Sequence, residues 1–265
     1  MLIDSHCHLD RLDLTPFDGK IEGALDAARE QGVGHMLCVC IDMENFPDVL
    51  DIARRFDQVS ASVGVHPEAR AGHEPDADEL AELAGDPQVV AIGETGLDYF
   101  RCEGDMRWQQ ERLRRHIDAA RRVDKPLIIH MREATEDTLR ILREERAADV
   151  GGVMHCFVED WAAAKAAMDL NFYISFSGIV TFRNAAQLKD VAARMPEDRM
   201  LVETDSPYLA PVPLRGRSNQ PAYVRHVAEH VAELRGTSFE AIADTTTRNY
   251  FELFGPVEVS ASARA

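Results

Sequence analysis

The sequence contains no long hydrophobic run, no cysteine framework and no basic leader segment. No stretch of the 265 residues reaches the roughly 18 consecutive apolar residues that a membrane helix requires, so we expect no membrane association. The five cysteines are odd in number and lack zinc-finger spacing, which favours a reducing compartment over disulfides. The first residues, Met1 to His6, do not combine a basic segment with an apolar run, so we expect no signal peptide and a cytoplasmic location.

Positive charge is also scarce. The chain has 29 Lys and Arg residues against 46 Asp and Glu residues, a formal net charge of −17. This balance argues against a broad basic face for duplex nucleic acid. It leaves room for a local cationic site, because bound metal ions dominate the field around them. No low-complexity linker interrupts the chain, so we predict one domain over residues 1–255, a loose tail over 256–265 and a monomer.

Short apolar runs alternate with longer helical patterns, which is typical of βα units around a parallel sheet. Eight strands, each followed by a helix, predict an α/β fold of the (β/α)8 TIM barrel type, for which about 250 residues is a common length. A doubly wound open sheet is the alternative. The predicted strands are Leu2–His8, His35–Cys40, Val59–Val65, Val89–Gly93, Pro126–His130, Gly152–His155, Phe172–Phe176 and Met200–Glu203.

Helical patterns fill the gaps between these strands. An extra C-terminal helix, Phe239–Phe251, is predicted with Ser238 as its N-cap. The other predicted helices are Phe17–Gln31, Phe46–Arg55, Ala77–Leu83, Met106–Val123, Glu133–Arg146, Trp161–Leu170, Asn184–Ala193 and Ala222–Arg235.

Side chains that can bind metal lie at the carboxyl ends of the predicted strands. In a barrel these ends converge on one face, where active sites lie. Alternate strand residues point the same way, so His6 and His8 share a face while Cys7 points elsewhere. Imidazole and carboxylate ligands together suit divalent metals such as Zn²⁺, Mn²⁺ or Ni²⁺. The side chains are those of His6, His8, His66, Glu94, His130, His155 and Asp205.

Each of these residues has a structural explanation when it is taken alone. A single histidine at a strand end is more often packed or solvated than a ligand. Glu94 would also suit a helix cap, and Asp205 a turn before Pro207. Among the other histidines, His35 is predicted to begin a strand at the opposite, stability-related end of the barrel. We interpret the remaining four histidines as residues on solvated faces of loops and helices: His73, His116, His226 and His230.

Together, these residues and their neighbours resemble the TatD-type deoxyribonuclease family within the amidohydrolase-like metal-dependent hydrolases. The resemblance covers nearly the whole chain. A further segment, Leu214 to Pro221, is similar to the family's loop after the last strand. The motifs that carry the resemblance are Asp4-Ser5-His6-Cys7-His8-Leu9, Gly64-Val65-His66-Pro67, Gly93-Glu94-Thr95-Gly96-Leu97-Asp98-Tyr99, His130-Met131-Arg132, His155-Cys156-Phe157 and Glu203-Thr204-Asp205-Ser206-Pro207-Tyr208.

The resemblance implies a TIM barrel and hydrolysis by one or two divalent ions of Mg, Mn, Zn or Ni. It implies that Glu94 bridges two metals, in the place that a modified lysine holds in related hydrolases. Lys125 is a poor candidate for that place, because it lies five residues before His130, near the opposite end of its strand. The ligands that the resemblance implies are His6, His8, Glu94, His130, His155 and Asp205.

The implied activity is nuclease action, commonly 3′→5′ exonuclease trimming of single-stranded DNA or another nucleic-acid end, through a metal-bridging hydroxide. Asp205 is expected to act as general base and His66 to lie near the substrate phosphate as a donor or proton carrier. Forked arginine donors suit phosphate, with ordinary surface charge as the alternative, and aromatic rings suit stacked bases. The candidate substrate contacts are Arg132, Arg215, Arg217 and Tyr99, with Phe100 and Phe157 as further stacking candidates.

Three other functions stay open. A metal hydrolase of another ester or amide, such as aminoacyl-tRNA, a lactone, a cyclic amide or a phosphotriester, would use the same ligands with different loops. A closed apolar cavity would favour such a small molecule, and an open groove with arginines a strand end. A non-catalytic metal-binding interaction protein would close its site with four ligands, fewer than the sequence offers. A barrel enzyme without metal would stay active in excess chelator.

Overall fold

The computed structural model describes residues 1–255, and the tail predicted at 256–265 lies outside them. Eight parallel strands form one sheet in which each strand pairs with its neighbours in chain order. The strands are β1 (Leu2–Cys7), β2 (Val33–Cys38), β3 (Val59–Val63), β4 (Val89–Asp98), β5 (Leu127–Arg132), β6 (Gly152–Met154), β7 (Phe172–Phe176) and β8 (Met200–Val202).

The sheet closes between its first and last strands. A parallel bridge joins Cys7 to Ser206, and the His8 amide donates to the Ser206 carbonyl at 2.8 Å. The Asp205 amide donates to the His6 carbonyl at 2.9 Å. The predicted TIM barrel is therefore confirmed, and the open doubly wound sheet, which would leave two unpaired edges, is excluded.

Within residues 1–255, eight helices alternate with the strands around the barrel, and a ninth follows them, as predicted. The ninth helix contacts β1, β8 and the eighth helix, and the Ser238 hydroxyl caps it by accepting from the Ala241 amide at 3.1 Å. The helices are α1 (Ile21–Glu30), α2 (Phe46–Arg55), α3 (Ala77–Leu83), α4 (Arg107–Val123), α5 (Thr135–Glu144), α6 (Trp161–Met168), α7 (Ala186–Arg194), α8 (Val224–Arg235) and α9 (Phe239–Phe254).

The helix ends differ from the prediction where the backbone adopts left-handed conformations. The first helix begins at Ile21 instead of Phe17, because Asp18 and Gly19 have φ values of 53° and 74°. In the same way, α5 is shorter than predicted because Glu133 and Arg146, just outside its ends, have φ values of 51° and 57°. Residues in this region cannot continue a right-handed helix.

Two apolar cores hold the barrel together. The larger lies between the strands and the surrounding helices and includes Leu2, Cys7 and Met131. The smaller fills the barrel interior, and two side chains of α9, Tyr250 and Phe254, complete it. The strand and strand-end residues of this interior core are Ile3, Leu37, Val39, Ala91, Ile128, Val153, Tyr173 and Leu201. The barrel interior is thus packed, which leaves functional chemistry to its end.

The alternation of side chains along β1 changes near its carboxyl end. Ile3 faces the barrel interior, whereas Cys7, which the same alternation would turn inwards, packs against the helices. The pairing of β1 with β2 shifts register between Asp4 and Cys7. This irregularity is what directs His6 to the interior of the barrel mouth.

Two histidine predictions differ from the structure. His116 is fully buried on the apolar face of α4. Its Nε2 atom accepts from the Val65 amide at 3.0 Å, and its Nδ1 atom donates to the Arg112 carbonyl at 2.9 Å. His35 is also fully buried and is the third residue of β2, not the first. Among residues 1–255, no helix combines the length and apolar character needed to traverse a bilayer.

Candidate metal centre

The Glu94 carboxylate lies at the middle of a group of imidazoles at the carboxyl end of the barrel. Its Oε1 atom lies 2.9 Å from His155 Nε2, 3.2 Å from His130 Nδ1 and 3.3 Å from His66 Nε2. Its Oε2 atom faces the other way and lies 3.4 Å from His6 Nε2. The two oxygens of one carboxylate therefore address two separate sets of histidine nitrogens.

Asp205 completes the second set. Its Oδ1 atom lies 3.3 Å from His8 Nε2 and 3.7 Å from His6 Nε2. Groups of potential ligand atoms within 4.8 Å of one another are His6 with His8 and Asp205, His66 with Glu94 and His130, and His6 with His155 and Glu203. All seven predicted metal-capable side chains thus come together, in what we call the carboxyl-end cluster: His6, His8, His66, Glu94, His130, His155 and Asp205.

Local backbone conformations place two members of this cluster. Asp205 has a φ of 57°, in the left-handed region that aspartate tolerates better than most residues. Cys156, directly after His155, has a φ of 44°. Non-glycine residues in this region cost free energy and are common at functional sites.

Buried ring nitrogens without partners indicate that the cluster fits a cation. His6 is fully buried, and neither of its ring nitrogens has a hydrogen-bond partner within the described chain. Buried polar atoms are almost always hydrogen-bonded. An imidazole that is buried with both nitrogens unpaired, beside two carboxylates, has the surroundings of a metal ligand.

The two central carboxylates are ionised. Burial raises the pKa of Glu94, but the positive charge of His155 and its hydrogen bond to the carboxylate outweigh this effect and hold that pKa well below its ordinary value. Burial likewise raises the pKa of Asp205, but the His8 hydrogen bond and the His155 charge bring it below its ordinary value. Ionised carboxylates are the form that binds divalent ions.

The pKa values of His6 and His155 are shifted in opposite directions. Burial, reinforced by the His155 charge, lowers the pKa of His6 and keeps that ring neutral. Burial also acts to lower the pKa of His155, but Glu94 and Glu203 together raise it well above its ordinary value. A cation at this position would compete with the His155 proton for the same nitrogen.

Hydrogen bonds outside the cluster orient three of its histidines. His8 Nδ1 donates to the Val39 carbonyl at 2.9 Å. His155 Nδ1 donates to Glu203 Oε1 at 3.1 Å, and His130 Nε2 donates to Asp98 Oδ2 at 2.9 Å. In each neutral ring the other nitrogen then carries a lone pair directed into the cluster.

Sequence reasoning missed Asp98 and Glu203 as functional residues. Both stand in the motifs that carry the family resemblance, but their partners lie on other strands, so spacing alone does not pair them. A weak signal existed: Glu203 precedes Asp205 by two residues, and Asp98 ends the strand that carries Glu94. Carboxylates that orient ligand histidines are a regular feature of metal sites.

In His66 the donor and acceptor nitrogens are arranged the other way round: the nitrogen that faces the cluster carries the proton. Its Nδ1 atom accepts from the Glu68 amide at 3.1 Å, so the proton of the neutral ring is on Nε2. That N–H lies 3.3 Å from His130 Nδ1 and 3.3 Å from Glu94 Oε1. His66 therefore presents a donor to the cluster, whereas His8, His130 and His155 each direct into it a nitrogen that offers a lone pair once its proton is released.

A pocket of ≈ 700 Å³ opens above the cluster. Three arginines line it: Arg11, Arg101 and Arg132. Only Arg132 was predicted from the sequence as a substrate contact. Tyr208 also lines it and is 48% exposed. The pocket is therefore an accessible mouth with cationic groups near the cluster.

Other candidate substrate contacts lie elsewhere. Arg215 and Arg217 are not among the residues that line the pocket, and Arg215 stacks on the Phe182 ring at 4.3 Å. The Tyr99 hydroxyl donates to Asp137 Oδ2 at 2.7 Å, and Tyr99 is not among the residues that line the pocket. Of the two further stacking candidates, Phe157 is buried and Phe100 is exposed.

Lys125 is placed far from the cluster, in agreement with its position in the sequence. Its ammonium group donates to the carbonyls of Ala84 and Val89, and Val89 begins β4 at the amino end of the barrel. The central position in the cluster belongs to Glu94.

A TIM barrel whose carboxyl end gathers imidazoles and ionised carboxylates beneath an open pocket defines the class of metal-dependent hydrolases. The comparisons with known proteins agree. The family model described as TatD related DNase matches residues 3–255. The chain belongs to the TatD family of metal-dependent hydrolases.

Relatives match over nearly their whole length. The chain is 49% identical to the uncharacterized metal-dependent hydrolase YcfH of Escherichia coli K12, covering 96% of this chain and 95% of that protein. It is 42% identical to the uncharacterized metal-dependent hydrolase YabD of Bacillus subtilis 168, covering 96% and 99%. The crystal structure of YjjV, a TatD homolog from Escherichia coli K12, superposes with a TM-score of 0.88 at 31% identity, covering 96% and 98%. Membership of this family and the gathered ligand atoms of the chain together support the use of a divalent metal.

Proposed function

We propose that the protein is a nuclease that hydrolyses phosphodiester bonds of single-stranded DNA and trims the strand from its 3′ end. The observation that carries the proposal is the open pocket, which has the carboxyl-end cluster as its floor and arginines along its wall. Charged donors beside a metal centre suit a phosphate better than an uncharged amide or lactone. The description of the family model, TatD related DNase, supports the same reaction.

The proposed metal ligands are all members of the carboxyl-end cluster except His66. The bonds to Val39, Asp98 and Glu203 occupy one ring nitrogen of each partner histidine and leave the other directed toward an ion. Both oxygens of Glu94 face ring nitrogens. Four imidazoles with two carboxylates favour zinc, manganese or nickel over magnesium, which prefers oxygen ligands. The proposed ligands are His6, His8, Glu94, His130, His155 and Asp205.

Divalent ions held there supply Lewis-acid chemistry, which makes water more acidic and offsets negative charge on a phosphate. The chain's own groups do the rest. Asp205, ionised and partly open to the pocket, accepts the proton that the attacking water loses. The Nε2–H group of His66 donates to the phosphate.

The test uses a single-stranded DNA oligonucleotide labelled at its 5′ end and metal-free protein to which one cation at a time is restored. We expect a ladder of products shortened from the 3′ end, and no cleavage in excess chelator. Asp205→Asn and Glu94→Gln should each reduce the rate by about 10²–10⁴-fold. The matched control is Asp244→Asn, which alters an exposed carboxylate on α9 and should leave the rate unchanged.

Other substrates decide between this proposal and its alternatives. Aminoacyl-tRNA, a lactone and a phosphotriester are assayed under the same conditions. Metal-dependent turnover of one of these, with DNA left intact, would replace the nuclease proposal by that hydrolase activity. Undiminished DNA cleavage by the Asp205→Asn, Glu94→Gln double variant would contradict the nuclease proposal.

A further inference from the structure

Arg132 lies directly above a member of the carboxyl-end cluster on the same strand. His130 and Arg132 pair regularly with Gly96 and Asp98 of β4, without a register shift between them. Met131, between them, packs into the outer core, so His130 and Arg132 both face the barrel mouth, and both line the pocket. A strand rises about 3.3 Å per residue, so Arg132 stands about 7 Å further toward the solvent than His130.

Arg132 differs in its charge partners from the other arginines of the pocket. Arg11 pairs with Asp42 at 2.9 Å, and Arg101 pairs with Glu68 at 3.4 Å. Across residues 1–255, no carboxylate forms an ion pair with Arg132, although the chain has 46 acidic residues. In an acidic protein, a pocket arginine whose charge is not neutralised by a neighbouring carboxylate favours binding of an anionic group of a substrate.

An aromatic ring holds this guanidinium in place. Arg132 stacks on the Phe100 ring at 4.2 Å, and the Phe100 backbone is held because its amide donates to Asp98 Oδ1 at 3.0 Å. Stacking occupies the face of a guanidinium and leaves the N–H groups at its edge available. The planar fork is thereby oriented in advance for two parallel hydrogen bonds to a phosphate.

We propose that Arg132, oriented by Phe100, forms a second anion subsite that binds the phosphate next to the scissile one. This inference rests on the proposed nuclease function and narrows its substrate to strands that carry at least two successive phosphodiesters. A dinucleotide with one internal phosphate engages the carboxyl-end cluster alone. A trinucleotide with two internal phosphates engages both the cluster and Arg132.

The experiment compares kcat/KM for a dinucleotide and a trinucleotide that lack terminal phosphates, with the metal-loaded enzyme. We expect the wild-type protein to prefer the trinucleotide by about tenfold, the order of one charge-assisted hydrogen-bonded contact. Arg132→Gln should bring that ratio close to one through a higher KM for the trinucleotide, with the dinucleotide little affected. Arg132→Lys, which keeps the charge without the fork, should retain part of the preference.

The matched control is Arg215→Gln, because Arg215 also stacks on a phenylalanine, at 4.3 Å, but does not line the pocket. It should keep the wild-type ratio. Equal kcat/KM of the wild-type protein for both substrates, or an Arg132→Gln variant that keeps the ratio, would overturn the subsite and leave the nuclease proposal intact. Failure of the wild-type protein to cleave either substrate, or any longer strand, would overturn the nuclease proposal and the subsite with it.

Discussion

Glu203 Oε1 accepts two hydrogen bonds, one from His155 Nδ1 at 3.1 Å and one from the Cys156 amide at 2.7 Å. Glu203 is fully buried. The pair fixes the His155 ring so that its Nε2 atom lies 2.9 Å from Glu94 Oε1. A fully buried carboxylate thus sets the direction in which a cluster histidine points.

Glu203→Gln tests this relationship. The amide oxygen still accepts hydrogen bonds, but the negative charge that supports the His155 ring is lost, so we expect metal affinity to fall by about 10–100-fold. Competition with a metal-binding dye measures the change. Glu197→Gln, which alters an exposed glutamate just before β8, should leave affinity at the wild-type value. Equal affinities for both variants would show that Glu203 has only a packing role.

Gln109 of α4 links two parts of the site. Its Oε1 atom accepts from the Asp98 amide at 3.0 Å, and its Nε2 atom donates to the Pro67 carbonyl at 3.0 Å. Asp98 orients His130, and Pro67 follows His66 directly. One fully buried amide therefore ties the loop that carries His66 to the strand end that supports His130.

Gln109→Leu removes these bonds and leaves buried backbone groups unpaired. We expect the free energy of unfolding to fall by about 1–3 kcal/mol and kcat to fall more than KM changes, because His66 and His130 lose their fixed spacing. Urea denaturation and steady-state kinetics provide the two readouts. The adjacent Gln110→Leu is the control, since Gln110 bonds to Tyr99 and Asp137 instead. A stable Gln109→Leu variant with full kcat would contradict this role.

His35 makes the fold sensitive to acid. Burial alone lowers its pKa from 6.5 to about 4, so the unfolded chain takes up this proton below about pH 6.5 while the folded protein does not until about pH 4. Stability is therefore lost as the pH falls through that interval. Between pH 7 and pH 5 we expect this residue to contribute a loss of about 2 kcal/mol.

The measurement is urea unfolding of the wild-type protein and of His35→Leu at pH 7 and pH 5. His35 packs near Tyr250, whose ring belongs to the interior core, not to the carboxyl-end cluster. Protonation of the cluster groups therefore changes the free energy of unfolding of both proteins equally, and this contribution cancels when the two are compared. The variant should lose less stability than the wild-type protein on acidification. An identical loss in both proteins would show that His35 does not resist protonation.

The barrel and the positions of the cluster residues could be predicted from the sequence because they depend on short-range patterns. Apolar runs alternate with helical periods, and metal-capable side chains lie at the carboxyl ends of six of the eight predicted strands. The end of β4 could not be read this way. Glycines 93 and 96 suggest a break, yet β4 continues to Asp98. At Gly96, φ is 144° and a Cβ atom would overlap the His130 carbonyl, so the glycine permits close pairing with β5.

Contacts between distant segments account for the other differences. His116 follows Leu113 by three residues and precedes Ile117 on the apolar face of α4, a local signal of burial that its polarity obscured. Arg215 and Tyr99 follow strands at the correct end of the barrel, but stacking on Phe182 and a hydrogen bond to Asp137 direct them elsewhere. Such pairings depend on the folded surface, which sequence spacing does not encode.

The most direct test of the proposed metal centre is the number of divalent ions bound per chain. Elemental analysis measures this number after equilibration with zinc or manganese and removal of free metal. The wild-type protein should retain one or two ions, and Glu94→Gln should retain fewer, with DNA cleavage falling in proportion. The Glu94→Gln, Asp205→Asn double variant should retain none. Wild-type metal content in a correctly folded double variant would show that the carboxyl-end cluster does not bind the metal.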